Sequence, residues 1–180
     1  MSLPLSIRNW CRMKTKDLTV IAILAAILFT IELALSWLPN VQLTVLLIVV
    51  YSKVLSLKKV SLVILIHVTL DNLFFGFQLL YFISMLLGWL LIPLSLKSWG
   101  KRFESPFSLA IFGFFMGFVY CWAFIPSNLI MRGTTLIAYL ISDIWFEVIL
   151  AVTNFVSILW LYEPLHRRLK NLLDELFPVY

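Results

Sequence analysis

Charged residues are scarce in this sequence. Only 13% of its 180 residues are Asp, Glu, Lys or Arg, while 62% are hydrophobic. A soluble domain of this length carries about twice as much charge, so the composition argues against a soluble fold. A helical bundle in a lipid bilayer needs many apolar residues because its outer surface contacts hydrocarbon. At about 20 residues per crossing, the chain has room for roughly five to seven helices and for no separate soluble domain.

Several catalytic and nucleotide-binding motifs are absent. Without a GxxxxGK[ST] loop, the chain cannot drive transport with ATP by itself. It has no HExxH pair, no GxSxG turn and no acidic run of the kind that binds metal in lipid head-group transferases. Its two cysteines, Cys11 and Cys121, lie in different segments and indicate no disulfide framework. We therefore expect a binding protein and not an enzyme.

The apolar runs predict an all-α membrane protein with six transmembrane helices in one integral membrane domain. The predicted helices cover about 18–38, 41–55, 60–72, 78–96, 107–125 and 136–162, and the segment 163–180 is expected to be an amphipathic cytoplasmic tail. The first run is too long for a signal-peptide core and lacks a cleavage pattern, so we expect it to be retained. The spacing of Gly113 and Gly117 favours close packing of the fifth helix.

The basic residues predict the orientation of this bundle. Of the 14 Lys and Arg residues, four precede the first helix, and three each follow the second, fourth and sixth helices. Only Arg132 lies in a loop on the opposite side of the predicted bundle from these four groups. Six crossings with both termini in the cytoplasm satisfy the positive-inside rule at every loop. The net charge of +5 is therefore explained by membrane topology, and we expect no nucleic-acid partner.

Polar residues within or beside the apolar runs gather at the predicted outer level. An intramembrane charge costs roughly 2.5–3.5 kcal/mol even on lenient insertion scales, so several acids at one depth predict a polar cavity open to the outside. Interfacial placement or internal ion pairing is the alternative for these residues, and the tryptophans suit an aromatic belt. The candidate substrate-binding residues are Glu32, Trp37, Asn40, Gln42, Asp71, Asn72, Trp122, Asn128, Arg132, Asp143 and Glu147.

Small side chains recur every four residues along the first helix, at Ala22, Ala26, Thr30 and Ala34. We call these four residues the small-residue stripe. On a helix they lie on one side, where the backbone of another helix can approach closely. The partner helix can belong to this chain or to another protein. The predicted partner interface is Ala22, Ala26 and Thr30.

One pair of residues suits metal binding or catalysis. His67 and Asp71 are one helical turn apart and can share a face. The other histidine, His166, lies in the predicted cytoplasmic tail and cannot complete a metal site with them. We therefore expect no metal.

These features resemble the substrate-binding S component of energy-coupling factor (ECF) vitamin transporters. The segment KTKDLTVIAILAAILFTIELAL is similar to the first helix of that family, and WLPNVQLTVLLIVVYSKVLSLKK to its loop into the second helix. The pair Asp71 and Asn72 is similar to its loop after the third helix. Six short helices, cytoplasmic termini and an outward polar cavity complete the resemblance.

The resemblance implies high-affinity binding of a vitamin or related micronutrient at the bacterial cell (inner) membrane. It implies docking through Ala22 and Ala26 on a membrane scaffold, the T component, and no cofactor in this chain. Two separate cytoplasmic ATPases would hydrolyse ATP and drive the S component to topple in the bilayer. An amide-rich and acidic inventory disfavours polyanions and suits a neutral or cationic ligand. Within the family we favour a corrinoid such as cobalamin, with riboflavin, pantothenate and a queuosine precursor as alternatives.

Three other classes of function remain open at this point. A secondary, proton-coupled transporter would use Asp143 and Glu147 as a relay. An intramembrane enzyme would use His67 and Asp71 as its catalytic pair. A structural partner protein would bind no ligand, although acids within the bilayer suit it poorly.

Overall fold

The computed structural model describes residues 13–99 and 102–176, and this part of the chain is helical with no β-strand. The fold class predicted from the sequence is confirmed to the extent that the described chain is all-α. Its helices are α1 (Thr15–Leu35), α2 (Thr44–Val54), α3 (Leu57–Phe75), α4 (Leu79–Trp99), α5 (Pro106–Ala123), α6 (Ile125–Arg132) and α7 (Leu136–Leu176).

Four helical segments are long and apolar enough to cross a membrane: α1, α4, the nearly continuous pair α5–α6, and α7. α2 is apolar but has only 11 residues. α3 has 19 residues and carries two lysines in its first turn and Asp71 in its last two turns. Six membrane crossings were predicted, and four of them are long and apolar enough to span a membrane.

α1 and α3 each differ from their predicted ranges, 18–38 and 60–72, by three residues at both ends. Three further differences change the description of the fold. α2 begins at Thr44 and not near 41, because the preceding turn contains Pro39 and a left-handed Asn40 with φ 55°. The segment expected to be a loop forms α6, where Pro126 suits the first turn and the left-handed Gly133, with φ 63°, ends the helix. Both differences arise from local turn chemistry.

The third difference is at the C-terminal end. The predicted end of the last helix near residue 162 is wrong, because α7 continues without a break to Leu176. That the segment after 162 is an amphipathic cytoplasmic tail stays a prediction. Pro164 removes one backbone donor from this helix, and the chain is helical on both sides of it. Arg167 Nε donates to Glu163 Oε1 at 2.9 Å, one turn apart across the proline, and supports the helix there. Residues 177–180 lie outside the described part of the chain.

α2 is the central helix of the bundle. Its residues from Thr44 to Tyr51 are all buried, and it packs against α1, α3, α4, α5 and α7. A helix that is apolar on every face is stable only when neighbours surround it. With 11 residues α2 is about 16 Å long, roughly half the thickness of a bilayer core. It therefore leaves space unfilled beyond one of its ends.

Basic residues collect at one end of the bundle, which we call the basic end. Lys59 Nζ lies 2.6 Å from Asp17 Oδ1 and joins the start of α3 to the start of α1. Lys53 Nζ donates to the carbonyl oxygen of Phe103 at 2.6 Å and joins the end of α2 to the turn before α5. A groove at the same end is lined by α1, the α2–α3 turn and the end of α7. This grouping agrees with the arrangement that the positive-inside rule predicted.

α5 packs closely along α7 through Gly113 and Gly117, as their spacing predicted. A Cβ atom at Gly117 would lie 3.0 Å from the Cα atom of Ala151, which is backbone. A Cβ atom at Gly113 would instead meet the end of the Ile158 side chain. The two glycines therefore allow the two helices to approach at backbone distance.

We expect Gly117→Ala to destabilise the protein more than Gly113→Ala. The Ile158 side chain can change rotamer, whereas the α7 backbone at Ala151 can move only if the two helices separate. Overpacking costs about 1–3 kcal/mol, and we expect Gly117→Ala near the top of this range and Gly113→Ala near the bottom. Unfolding by SDS in detergent micelles, followed by circular dichroism, measures both free energies. A larger loss for Gly113→Ala would contradict the packing described here.

Candidate functional site

A cavity of about 400 Å³ lies at the end of the bundle opposite the basic end. We call this the cavity end. Its walls are the last turn of α1, the segment 36–42 and the last turns of α3, with one ring from α5. The lining residues are Glu32, Leu35, Ser36, Leu38, Pro39, Asn40, Val41, Gln42, Asp71, Phe75 and Tyr120. Small-molecule sites typically have volumes of about 300–1,000 Å³, so the cavity is large enough for a small organic ligand.

The cavity forms at this end because α2 is short. The lining residues Val41 and Gln42 lie just before the first turn of α2, so the cavity occupies the space beyond its N-terminus. α1 and α3 extend past that point and supply carboxylates from their last turns. The left-handed Asn40 turns the chain back between α1 and α2, and its side chain joins the lining.

Glu32 is held by two side chains from other helices. Thr44 Oγ1 donates a hydrogen bond to Glu32 Oε2 at 3.0 Å. Nε2 of His67, an imidazole that is 0% exposed, lies 3.0 Å from the same oxygen. Thr44 is the first residue of α2, so the carboxylate also lies near the positive end of that helix dipole. These contacts restrict Glu32 to one orientation at the cavity wall.

Asp71 lies one turn after His67 on α3 and is half-buried. It lines the same cavity as Glu32, and it has no hydrogen bond or ion pair with another described residue. The two carboxylates come from two different helices. No lysine or arginine is among the described residues that line the cavity, so its lining carries negative charge.

Tyr120 forms a rigid aromatic part of the wall. Its ring stacks on the buried Trp89 of α4 with centroids 3.8 Å apart and planes at 19°. Gly88 makes this position possible, because a Cβ atom there would lie 2.7 Å from the Tyr120 ring. Sequence reasoning missed Tyr120, since it is one of several aromatic residues on α5 and no pattern distinguishes it. The loop residues Ser36 and Pro39 were also missed, although they flank the predicted Trp37 and Asn40.

Four of the eleven candidate residues line this cavity: Glu32, Asn40, Gln42 and Asp71. Trp37 and Trp122 are 76% and 51% exposed, as suits residues at a membrane interface. Arg132 is exposed in the last turn of α6 and is not in the described cavity lining. The expectation of a single polar cavity therefore holds for part of the set.

Two candidate asparagines make structural contacts elsewhere. Asn72 is buried and its Nδ2 donates to the carbonyl oxygen of Val68 at 2.9 Å, so it points away from Asp71. Asn128 Oδ1 accepts from the Tyr81 hydroxyl at 3.1 Å and thereby joins α6 to α4. Neighbouring residues on a helix project about 100° apart, which explains why Asp71 and Asn72 face different surroundings.

Asp143 and Glu147 form a second acidic cluster on α7, outside the described cavity lining. Asp143 Oδ2 accepts a hydrogen bond from the Tyr139 hydroxyl at 2.9 Å. Glu147 is only 2% exposed, and its Oε1 has no hydrogen-bond partner within the described chain. These two acids were predicted to share one polar cavity with Glu32 and Asp71, but they do not line it.

The small-residue stripe faces outward. Ala22, Ala26, Thr30 and Ala34 are all exposed, whereas Ala25 on the opposite side of α1 is 0% exposed. α1 packs against α3 through its other face, with Ile21, Leu24 and Leu28 buried. Of the two partners that the sequence left open, a helix from the described part of this chain does not cover the stripe.

The described residues contain no group of three or more His, Cys, Asp or Glu side chains arranged to hold a metal ion. Fixed carboxylates, amides and aromatic rings around one open volume can bind and orient a small molecule.

Comparison of the chain with protein-family models, with curated proteins and with solved structures found no match.

Proposed function

We propose that this chain is the substrate-binding S component of an ECF-type transporter for a vitamin or related micronutrient. The observation that carries the proposal is the position of the cavity at the end of an apolar bundle opposite the basic end. By the positive-inside rule, such a cavity opens away from the cytoplasm. A binding subunit for uptake needs this orientation.

The outer surface of the bundle supports a membrane location. Large apolar side chains are exposed on several helices, including Ile23 at 54%, Phe115 at 60% and Trp145 at 74%. Soluble monomers rarely expose apolar surface on this scale. In a bilayer these side chains contact lipid, and the proposed location is the bacterial cell membrane.

The exposed small-residue stripe supports docking on a membrane scaffold. Its small side chains let a partner helix approach at backbone distance, and the Thr30 hydroxyl is the one side-chain polar group that the stripe offers to such a partner. Such a surface suits a subunit that binds and releases its partner during each cycle. Because the chain has no phosphate-binding loop, ATP hydrolysis belongs to separate subunits.

Co-purification and uptake test this proposal. A tagged chain expressed in its native host should co-purify with a membrane scaffold subunit and two ATPases, and should bind a vitamin with sub-micromolar affinity. Uptake into cells should stop when the phosphate-binding lysines of the ATPases are replaced. If the purified chain binds no vitamin and brings down no ATPase module, the proposal is wrong.

A proton-coupled carrier is the second candidate, favoured by the buried and partly unpaired Glu147 beside Asp143. Energy coupling separates the two functions in proteoliposomes. We expect uptake only when the scaffold and ATPases are reconstituted with ATP, and we expect it to persist when a protonophore collapses the proton gradient. Uptake by the chain alone that a protonophore abolishes would establish the carrier.

A further inference from the structure

We infer, on the basis of the proposed function, that the ligand of this cavity is a small organic cation whose charged nitrogen pairs with Asp71 and Glu32. The juxtaposition that carries this inference is two carboxylates on two helices lining one cavity, with no lysine or arginine in its described lining. Asp71 is the principal anchor, because no described residue forms a hydrogen bond or ion pair with it.

The state of His67 does not change the sign of the cavity charge. If the imidazole is neutral, both carboxylates contribute negative charge. If it is protonated, it compensates Glu32 at 3.0 Å, and Asp71 still contributes a negative charge. A neutral or anionic ligand would leave at least one carboxylate without a counter-charge when it displaces water from the cavity. A cation compensates that carboxylate with a charge-assisted hydrogen bond or ion pair.

Glu32 lies against side chains from two other helices, which distinguishes it from an isolated acidic residue on the surface. His67 is completely buried, its Nε2 lies 3.0 Å from Glu32 Oε2 but outside hydrogen-bond geometry, and neither ring nitrogen has a hydrogen-bond partner in the described chain. Thr44 and His67 both lie 3.0 Å from Oε2 of Glu32, whereas no described residue forms a hydrogen bond or ion pair with Oε1. The second oxygen thus remains for a ligand.

The remaining lining suits the rest of such a ligand. The rings of Phe75 and Tyr120 line the cavity and can contact the apolar body or the cationic group of a ligand through their faces. The amides of Asn40 and Gln42 can donate and accept hydrogen bonds at the rim. A corrinoid has a larger body than a cavity of about 400 Å³ suits, so a small cation replaces it as our expected substrate class.

Matched ligand pairs test the charge requirement directly. The full chain in nanodiscs is titrated calorimetrically with pyridoxamine against pyridoxine and with choline against 3,3-dimethylbutanol, which differ chiefly in a positive charge. Thiamine is a third cation, riboflavin a neutral ring compound and pantothenate an anion. We expect at least one cation to bind, and to bind about 30-fold or more tightly than its neutral partner or than riboflavin.

Two isosteric variants locate the effect. Asp71→Asn has no described hydrogen bond or ion pair to disrupt, and Glu32→Gln keeps an oxygen that can accept from Thr44, so both should retain the melting temperature of the wild type. Each should weaken the cation by about 30-fold or more. Glu104→Gln removes the same charge from an exposed residue before α5 and should leave affinity unchanged.

Each outcome has a defined meaning. If no cation binds, or if a neutral or anionic probe binds and Asp71→Asn leaves its affinity unchanged, the inference of a cationic ligand is wrong. In the second case the proposed transport function still stands. If a cation binds through Asp71 but no scaffold or ATPase co-purifies, the ligand class is established and the proposed function fails.

Discussion

Replacing Ala22 or Ala26 with leucine should reduce ATP-dependent uptake to background while ligand affinity stays unchanged. Both alanines are exposed in the isolated chain, so the added side chains meet no internal neighbour and the bundle should fold normally. Against a partner helix, however, each leucine adds bulk at a surface where backbones must approach closely. Uptake of radiolabelled ligand in cells and calorimetric titration of the purified variants measure the two properties separately.

Two further alanines control this experiment. Ala138→Leu introduces the same bulk at an exposed position near the start of α7 and should leave uptake intact. Ala25→Leu places the side chain in the core, where the alanine is 0% exposed, and should destabilise the bundle by about 1–3 kcal/mol through overpacking. Loss of ligand binding in parallel with uptake in the Ala22 or Ala26 variant would contradict docking through the stripe and indicate a role in the fold.

Replacing His67 with alanine should lower the free energy of unfolding by about 2–5 kcal/mol, the range for truncating a large buried side chain. His67 is 0% exposed, so the variant leaves a void in the core. It also removes a partner 3.0 Å from Glu32 Oε2 and leaves the carboxylate with Thr44 alone. Ligand affinity should fall as well, because Glu32 is no longer restricted to one orientation.

Thr44→Val loosens Glu32 without leaving a void in the core. It therefore separates the two effects that His67→Ala combines. It removes the 3.0 Å hydrogen bond to Glu32, together with a longer one of 3.5 Å to Gln42 Oε1, and should cost about 1 kcal/mol. His67→Gln, whose amide can still donate to the carboxylate, should recover part of the affinity lost in His67→Ala. SDS unfolding and ligand titration measure both effects. An undiminished free energy of unfolding in His67→Ala would contradict this account, and loss of a chemical activity with full stability would favour the intramembrane enzyme.

The polar residues of the cavity end show how far the sequence predicts a site. Hydropathy and turn signals placed Glu32 and Asp71 near the ends of their helices and Asn40 and Gln42 in the connection between α1 and α2, because such places are marked by residues that cannot stay in an apolar run. They did not predict which residues at that level share a cavity. Asn72 follows Asp71 directly but turns to the carbonyl oxygen of Val68, and Asp143 lies with Tyr139 on another helix.

Other features were beyond the reach of local patterns for the same reason. Tyr120 reaches the cavity because Gly88 makes room and Trp89 stacks on its ring, and these residues are about thirty positions away along the chain. α7 continues to Leu176, and Leu169 and Leu173 near its far end pack against the core of the bundle. Both depend on contacts between distant segments.

The sequence by itself determined that the chain is helical, that its helices are apolar on most faces and that basic residues mark one end of them. Those properties depend on the free energy of each segment in water or lipid, which composition and spacing express directly. The tertiary structure alone decided that α2 is central and short enough to leave a cavity, and that Glu32 and Asp71 face it together. It also decided that the small-residue stripe faces outward. Helix rotation and neighbour choice are set by packing among all helices at once, and no single segment contains that information.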